Sequence, residues 1–313
     1  MKQLLLTISA LLFATAVCAE GYQVNTLSAK QLGMGHVGTG MKLNSESIYF
    51  NPAGTAFQTS RFSFSVGITG IKSNATYLSN NDYRGNPQIQ AHSDNKISTP
   101  LYAYFNYKAT KNLAVGLGFY TPYGSSMNWG DNWSGAHLIQ EINLAAYTFQ
   151  PTVSFKICDR LSIGAGLMIT WGNFDLARAM LPVGGNQTLV SGFNTVNQLL
   201  PVLGPSAGLT AEQIAAYQAT AQQGAAYFEN NLQNKAIVSA KLQGDANVAI
   251  GVNAGILWDI TDQWSVAMSY RSRLNMKVDR GTARLNYASA EAQQLLSFLN
   301  SVLTMAGQSP AIP

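Results

Sequence analysis

The stretch Arg61-Phe62-Ser63-Phe64-Ser65-Val66-Gly67-Ile68-Thr69 decides how the rest of this chain is read. Successive side chains of an extended strand point to opposite sides, so Phe62, Phe64, Val66 and Ile68 share one face and Ser63, Ser65, Gly67 and Thr69 share the other. One face is greasy; the other is small and polar. The alternation recurs over residues 101–107, 113–120, 142–157, 161–174, 248–258 and 264–278. In the run from Leu113, the apolar set Leu113, Val115, Leu117 and Phe119 faces away from Ala114, Gly116 and Gly118. Such runs approach or exceed the roughly 9–11 residues that a tilted strand needs to cross a bilayer.

The connections carry a second signal. Short turns fall at 108–112, 158–160 and 259–263, whereas the links between those hairpins are long, covering 72–98, 121–141, 176–247 and everything in 280–313. Short turns at one end and long loops at the other are the rule for outer-membrane barrels. A secreted sandwich would have turns of more uniform length and a polar outer face. Tyr104, Tyr107, Tyr120, Tyr123, Trp171, Trp258, Trp264 and Tyr270 stand near strand ends, where interfacial girdles form, although any one of them taken singly is more often ordinary packing.

Composition agrees with this pattern. Hydrophobic residues make up 47% of the 313 and charged residues 11%, yet mean hydropathy is only +0.03. Apart from the N-terminus, no apolar stretch reaches the roughly 18 residues that suggest a membrane helix, so the apolar residues are spread by alternation. The net charge of +4 carries no Lys/Arg cluster, which gives no indication of nucleic-acid binding. The expected fold is therefore all-β: a transmembrane antiparallel barrel in the outer membrane of a Gram-negative bacterium.

Residues 1–19 read as an export signal, with Lys2 as the positive start, Leu4 to Val17 as the apolar run and Val17-Cys18-Ala19 as the cleavage site. A lipoprotein signal ending at Cys18 is the rival, but Thr15-Ala16-Val17 matches its usual box poorly. Cleavage after Ala19 leaves Cys158 as the sole cysteine, excluding an intrachain disulfide and a cysteine metal site. Between that signal and the first strand, residues 20–60 include Gly21-Tyr22-Gln23-Val24-Asn25, Gly33-Met34-Gly35 and Asn51-Pro52-Ala53-Gly54. This leader is too polar for lipid and too irregular for a strand, so its natural place is the lumen, as a plug. The division is then signal at 1–19, hatch at 20–60 and partial barrel at 61–313.

Two long loops carry helical patterns. Thr210-Ala211-Glu212-Gln213 fits a capping box and is followed by Ile214, Tyr217, Ala221, Ala225, Phe228 and Leu232 at helical spacing. After Ser289, the stripe of Leu295, Leu296, Leu299, Val302, Leu303 and Ala306 ends near Gly307.

The sequence points to greasy binding and offers no catalytic residues. His36, His92 and His137 are isolated, without metal-ligand spacing, and Ser134 close to His137 is not a triad. Gly33-Met34-Gly35-His36-Val37-Gly38 fits a dinucleotide glycine pattern but lacks the flanking strand and helix. Neither metal nor cofactor is expected. The loop after residue 121 holds Tyr123, Met127, Trp129 and Trp133, which suit either an external groove for amphipaths from outer-membrane lipid and lipopolysaccharide or plain girdle packing. Lys156, Arg160, Arg178 and Lys241 are available for a carboxylate head group, and nothing in the sequence chooses among them.

The leader, with its Asn51-Pro52-Ala53 triplet, resembles the hatch of the FadL/TodX (OmpP1) family of outer-membrane transport proteins for hydrophobic compounds. Thr121-Pro122-Tyr123-Gly124 after a strand resembles the family's Pro-aromatic-Gly, and Gly251-Val252-Asn253-Ala254-Gly255 with Ser269-Tyr270-Arg271-Ser272 resembles one of its hairpins. The resemblance implies a fourteen-stranded barrel, of which about seven strands are visible here. The tail Gln308-Ser309-Pro310-Ala311-Ile312-Pro313 offers no closing strand, so the chain reads as a C-terminally truncated version of a longer protein, expected to be a monomer.

From the resemblance follow passive uptake of fatty acids or aromatic hydrocarbons, loop capture, hatch rearrangement at Asn51, Pro52, Ala53 and Gly54, and lateral exit. It also implies ligand contact by the third mature residue, Tyr22. A general porin and, further off, a lipid-hydrolysing barrel are the alternatives; the small Ala114, Gly116 and Gly118 on the inward side favour a filled lumen over a charged pore.

Overall fold

A computed structural model describes residues 22–78 and 90–309; the expected export signal, part of the 72–98 loop and the last residues of the tail lie outside them. The wall is one antiparallel sheet. Its strands are β1 (Phe62–Ile68), β4 (Leu101–Lys108), β5 (Leu113–Asn128), β6 (Glu141–Cys158), β7 (Leu161–Ala179) and β8 (Val238–Asp259), each paired with the next. Two further strands, β9 (Ser265–Arg271) and β10 (Arg280–Tyr287), pair with opposite ends of β8, so they form a single seventh position interrupted by residues 272–279. A separate two-stranded ribbon, β2 (Thr76–Leu78) with β3 (Gln90–His92), lies in the first long connection.

Several strands reach further than the alternation alone indicates. The loop expected from 121 begins only after Asn128, the one expected over 176–247 is occupied at both ends by β7 and β8, and β10 lies within the stretch read as loop from 280. In each extension, polar or small residues replace the regular apolar set, and cross-strand pairing holds the backbone extended without that pattern. Pro122 adds a shift of register between Tyr120 and Tyr123, which broke the pattern there.

The two faces of the sheet differ as the alternation requires. Phe64 and Ile250 are each 68% exposed, and Phe62, Val66, Val153, Leu117 and Met268 share their face. A contiguous apolar surface of this extent suits hydrocarbon and not water. The opposite face is covered by the N-terminal segment. There Leu27, Ile48 and Tyr49 pack on Tyr102, Tyr104 and Tyr120, with Tyr49 edge-on to Tyr120 at 4.9 Å between ring centres. A Cβ at Gly116 would lie 2.7 Å from the Ile48 side chain and one at Gly118 2.9 Å, so the small inward residues of β5 exist to admit this segment.

The segment contains α1 (Ala29–Gly33), α2 (Ser47–Phe50) and a 3-10 turn over Pro52–Phe57. Its polar groups are satisfied by the wall: Gln150 Nε2 donates to Ile48 O at 2.8 Å, Tyr104 OH to Leu27 O at 3.1 Å, and Asn106 Nδ2 to Thr55 O at 3.2 Å. Buried backbone carbonyls left unpaired would each cost about 1–3 kcal/mol, which explains why otherwise apolar strands carry these side chains.

Three helices gather at the end of the sheet opposite the short turns: α3 (Asn186–Leu203), α4 (Ala211–Asn230) and α5 (Ala290–Met305). Thr210 caps α4 in the reciprocal box with Gln213, and Ser289 caps α5 through the Ala292 amide. Phe193 stacks on Phe228 at 5.7 Å, and Leu189, Leu296 and Leu299 complete the core between the helices. No helix among the described residues is long and apolar enough to cross a membrane.

Candidate functional site: the cavity between the N-terminal segment and the wall

The proline in β5 positions the site. Because its ring interrupts the ladder, the edge of β5 beyond Tyr120 is free to accept another strand, and the first described residues take that place. Val24 N donates to Pro122 O and Gly124 N to Tyr22 O, both at 2.9 Å, closing a bridge between Gln23 and Tyr123. This brings Tyr22 and Tyr123 to the rim of one cavity of about 1010 Å³. Its floor is the inner face of β6 to β8 at Ala146, Gly172 and Ala246. Its far side is the interrupted strand, through Leu274, Met276 and Val278.

Residues 272–279 leave the sheet and fold over its inner face. Gly251 and Gly244 make this possible, since a Cβ at either would lie 2.7 Å from Leu274 or Val278. Leu274, Met276 and Val278 so delivered line the cavity together with Phe174 and Leu144, while Gln23, Asn173 and Ser272 add polar groups to its wall. Two arginines, Arg271 and Arg273, also line it, and among the described residues no Asp or Glu does.

A second, smaller space of about 340 Å³ lies against the N-terminal segment, lined by Asn25, His36, Thr39, Asn253 and Ser269 among others. Gln23 and Arg271 border both cavities. Between them stands Tyr49: its carbonyl accepts from Arg271 Nη2 at 2.5 Å and from Asn253 Nδ2 at 2.9 Å, and its ring lies 3.9 Å under the guanidinium.

The Asn51-Pro52-Ala53-Gly54 turn lies deeper. Asn51 is fully buried; its Nδ2 donates to Thr39 O at 2.8 Å and to Ile256 O at 3.1 Å, while its Oδ1 accepts from Ala53 N at 3.1 Å. One side chain thereby joins the turn, the preceding loop and β8.

The other aromatic residues of the 121–141 region are elsewhere. Met127 sits opposite Ile142 in the β5–β6 ladder, Trp129 stacks on Trp133 at 4.7 Å, and Trp133 meets Tyr77 at 5.6 Å and donates its indole N–H to Ile139 O. Lys156 and Arg160 pair with Asp159 and Asp262 at the short-turn end, away from both cavities. Ser134 and His137 share no hydrogen bond, and His137 Nδ1 is buried without a partner. Among the described residues no cluster of three or more potential metal ligands occurs. Arg271 was the residue that sequence reasoning passed over, although its parity with Ser269 and against Met268 and Tyr270 marks it as inward-facing.

An apolar-faced antiparallel wall with an internal N-terminal segment defines the class: an outer-membrane β-barrel with its interior occupied. The chain belongs to the family described as outer membrane protein transport protein (OMPP1/FadL/TodX), which it matches over residues 10–310. That family consists of transport proteins and not enzymes.

Among solved structures, a Pseudomonas aeruginosa FadL homologue superposes with a TM-score of 0.54 at 18% identity, covering 82% of this chain and 53% of the other. The Ralstonia pickettii toluene transporter TbuX gives 0.53 at 15% identity, covering 83% and 61%. A Neisseria meningitidis serogroup B protein described as an outer membrane protein is 29% identical over 133 residues, 41% of this chain and 28% of that one. The chain thus spans a little over half of the length of these solved structures and less of the Neisseria protein. At such identities the structural likeness establishes the fold alone.

Proposed function

We propose that this protein is a channel for passive, diffusive uptake of hydrophobic compounds across the outer membrane, with long-chain fatty acids and aromatic hydrocarbons as the candidate solutes. The observation that carries the reading is the cavity of about 1010 Å³, where Tyr22 and Tyr123 face apolar side chains of the interrupted strand. Its volume is at the upper end of the range for small-molecule sites, and its lining combines apolar side chains such as Leu144, Phe174, Leu274 and Met276 with the polar Gln23, Asn173, Arg271 and Arg273, which suits an amphipathic solute.

In this reading residues 1–19 are removed on export, residues 20–60 act as the hatch, and the barrel begins at 61. A solute from outer-membrane lipid or lipopolysaccharide is first captured by the long loops. Trp129 and Trp133, with Met127 at the end of β5 below them, offer one apolar contact surface there, and a narrow apolar recess between α3 and α5, lined by Leu199, Leu203 and Met305, offers another. It then passes to the cavity at Tyr22 and Tyr123. Rearrangement of the hatch about Asn51, Pro52, Ala53 and Gly54 opens the route, and the solute leaves sideways through the wall. The protein works as a monomer, and movement follows the solute's own gradient.

The test is uptake by cells producing the full-length protein. Labelled dodecanoate or toluene should enter faster than in cells without it, while arabinose should not. Free passage of arabinose with no gain for either hydrophobic solute would make the protein a general porin.

A further inference from the structure

The outward surface of the wall changes character at one height. Phe119, Tyr147 and Trp171 stand together on the lipid-facing side, with ring centres 6.1 to 6.5 Å apart, as in an interfacial girdle. Nearer the short turns the outward positions are apolar, as at Leu117, Val153 and Leu167. Towards the helices they are polar. Asp245 and Arg280 face each other one step past the aromatic row, Gln243 faces Asp175 and Thr282 at the next step, and Lys241 faces Arg284 at the third. Each step of two residues along a tilted strand climbs about 5 Å, which puts the first level about 5 Å beyond the aromatic row and the third about 15 Å beyond it.

Asp175, Gln243, Asp245, Arg280 and Thr282 border a shallow basin of about 520 Å³ on this surface. Asp175 is held by Gln243, whose amide donates to it at 2.5 Å. The cations are less well provided for. Lys241 and Arg284 are directly opposite in the ladder, where like charges destabilise a strand pair. Among the described residues neither has an ion-pair partner, and Arg280 has none although Asp245 is its ladder neighbour. An anion shared by Lys241 and Arg284 relieves their repulsion, and a phosphate gives Arg280 a charge-assisted partner. The carboxylates, amide and hydroxyl beside them suit sugar hydroxyls. Together these groups match a phosphorylated sugar.

Height selects the lipid. The head-group zone of an ordinary phospholipid leaflet is roughly 5–8 Å deep, which reaches the level of Arg280 but not that of Lys241 and Arg284. We propose that the outward face of β7, β8 and β10 is a docking site for the phosphorylated sugar head of lipopolysaccharide. Arg280 takes a phosphate next to the hydrocarbon, the basin receives the sugar, and Lys241 with Arg284 holds an anionic group further out. The site lies on the opposite face of the wall from the cavity at Tyr22, so it does not depend on what the channel carries.

The experiment titrates the full-length protein in dodecyl maltoside with a diphosphorylated lipid A bearing two acidic core sugars and, separately, with dioleoylphosphatidylglycerol, counting bound lipid by native mass spectrometry. Wild type should hold the lipopolysaccharide at least about 10-fold more tightly, the scale of a hydrogen bond to a charged group. Millimolar inorganic phosphate should not displace it. Arg280→Gln, and Lys241→Gln combined with Arg284→Gln, should each weaken lipopolysaccharide binding about 10-fold and leave phosphatidylglycerol unchanged. Both arginines are exposed, so the variants should assemble as wild type does, checked by heat-modifiability on gels. Arg160→Gln, at the short-turn end, should bind both lipids as wild type does. Equal affinity of wild type for the two lipids would overturn the proposal. So would variants that keep full lipopolysaccharide binding, or an equal loss in Arg160→Gln. Displacement by inorganic phosphate would make the surface a free-anion site and overturn it as well.

Discussion

Gly164 and Gly255 stand opposite each other in the β7–β8 ladder, and the Asn51-Pro52-Ala53 turn occupies the space that a side chain on either would need. A Cβ at Gly164 would lie 2.5 Å from Ala53 N and from Pro52 C, both backbone atoms, and one at Gly255 would overlap the Asn51 amide oxygen. The wall and the Asn51-Pro52-Ala53 turn are therefore fitted to each other at one place, and at Gly164 the fit involves backbone atoms that no rotamer change can move aside.

Gly164→Val should displace the turn. Overpacking of a well-filled site costs about 1–3 kcal/mol, and here the backbone of the Pro52-Ala53 turn is what must yield. The expected outcome is a barrel that still assembles and shows raised ion conductance in planar bilayers. Val at Gly130, which has nothing within 4 Å of its ideal Cβ but adopts a positive φ, is a poor comparison; Ala at Gly40, with open space and no such φ, is the appropriate control and should leave conductance unchanged.

Asn51 supports the turn through both ends of its amide, so Asn51→Ala and Asn51→Asp should differ from wild type in the same direction. Alanine forfeits all three hydrogen bonds. Aspartate retains an acceptor for Ala53 N but faces the carbonyls of Thr39 and Ile256 without a donor. Each buried group left unpaired costs about 1–3 kcal/mol. Both variants should alter uptake with normal barrel assembly, assayed by heat-modifiability on gels; unchanged uptake in both would make the motif purely structural.

Glu46 ties the segment to the first strand. It is buried, and its two oxygens accept from Ser28 Oγ and from Ser65 Oγ, the latter at 2.6 Å, with Lys30 at 3.8 Å. In Glu46→Gln one oxygen becomes an NH₂ group, so one hydroxyl must turn round and the charge-assisted character is lost. A stability loss of about 1–3 kcal/mol is expected, read as a lower midpoint in denaturant. No change would mean that water or Lys30 compensates fully.

How far the sequence showed all this depends on what each residue packs against. The wall was legible because lipid-facing and inward-facing positions alternate, as Phe62 to Ile68 display without any tertiary information. Ala114, Gly116 and Gly118 were visible as small inward residues, but only the structure shows Ile48 filling the space beside the glycines. α4 and α5 declared themselves through Thr210 and Ser289 at their starts. α3 lacks a capping side chain and contains Pro201, so its stripe of Leu189, Phe193, Val196 and Leu200 passed unnoticed until packing against the other two helices made it plain. The cavity was half legible: Tyr22 and Tyr123 were singled out separately, whereas the pairing of residues 22–24 with the edge of β5 and the inward fold of 272–279 depend on contacts between segments distant in sequence.

The rim of the cavity supplies the last prediction. Tyr22 is 52% exposed and is held in place by its backbone, since its carbonyl accepts from Gly124 N at 2.9 Å. Tyr22→Ala should therefore remove ring contact with a bound solute while preserving the bridge to β5. Loss of an aromatic contact weakens binding by an amount on the order of 1–3 kcal/mol, and each methylene buried in an apolar channel contributes about 0.8 kcal/mol. Across octanoate, decanoate and dodecanoate, wild-type affinity should rise steeply with chain length. In Tyr22→Ala the whole series should shift to weaker binding; a parallel shift would place the ring beside a fixed part of the ligand, and a reduced slope would place it along the chain. Tyr22→Phe should bind as wild type if the ring alone matters and should favour the more apolar solutes if the hydroxyl takes part. An unaltered series in Tyr22→Ala would remove this residue from the ligand path and leave it as a wedge between the N-terminal segment and the wall.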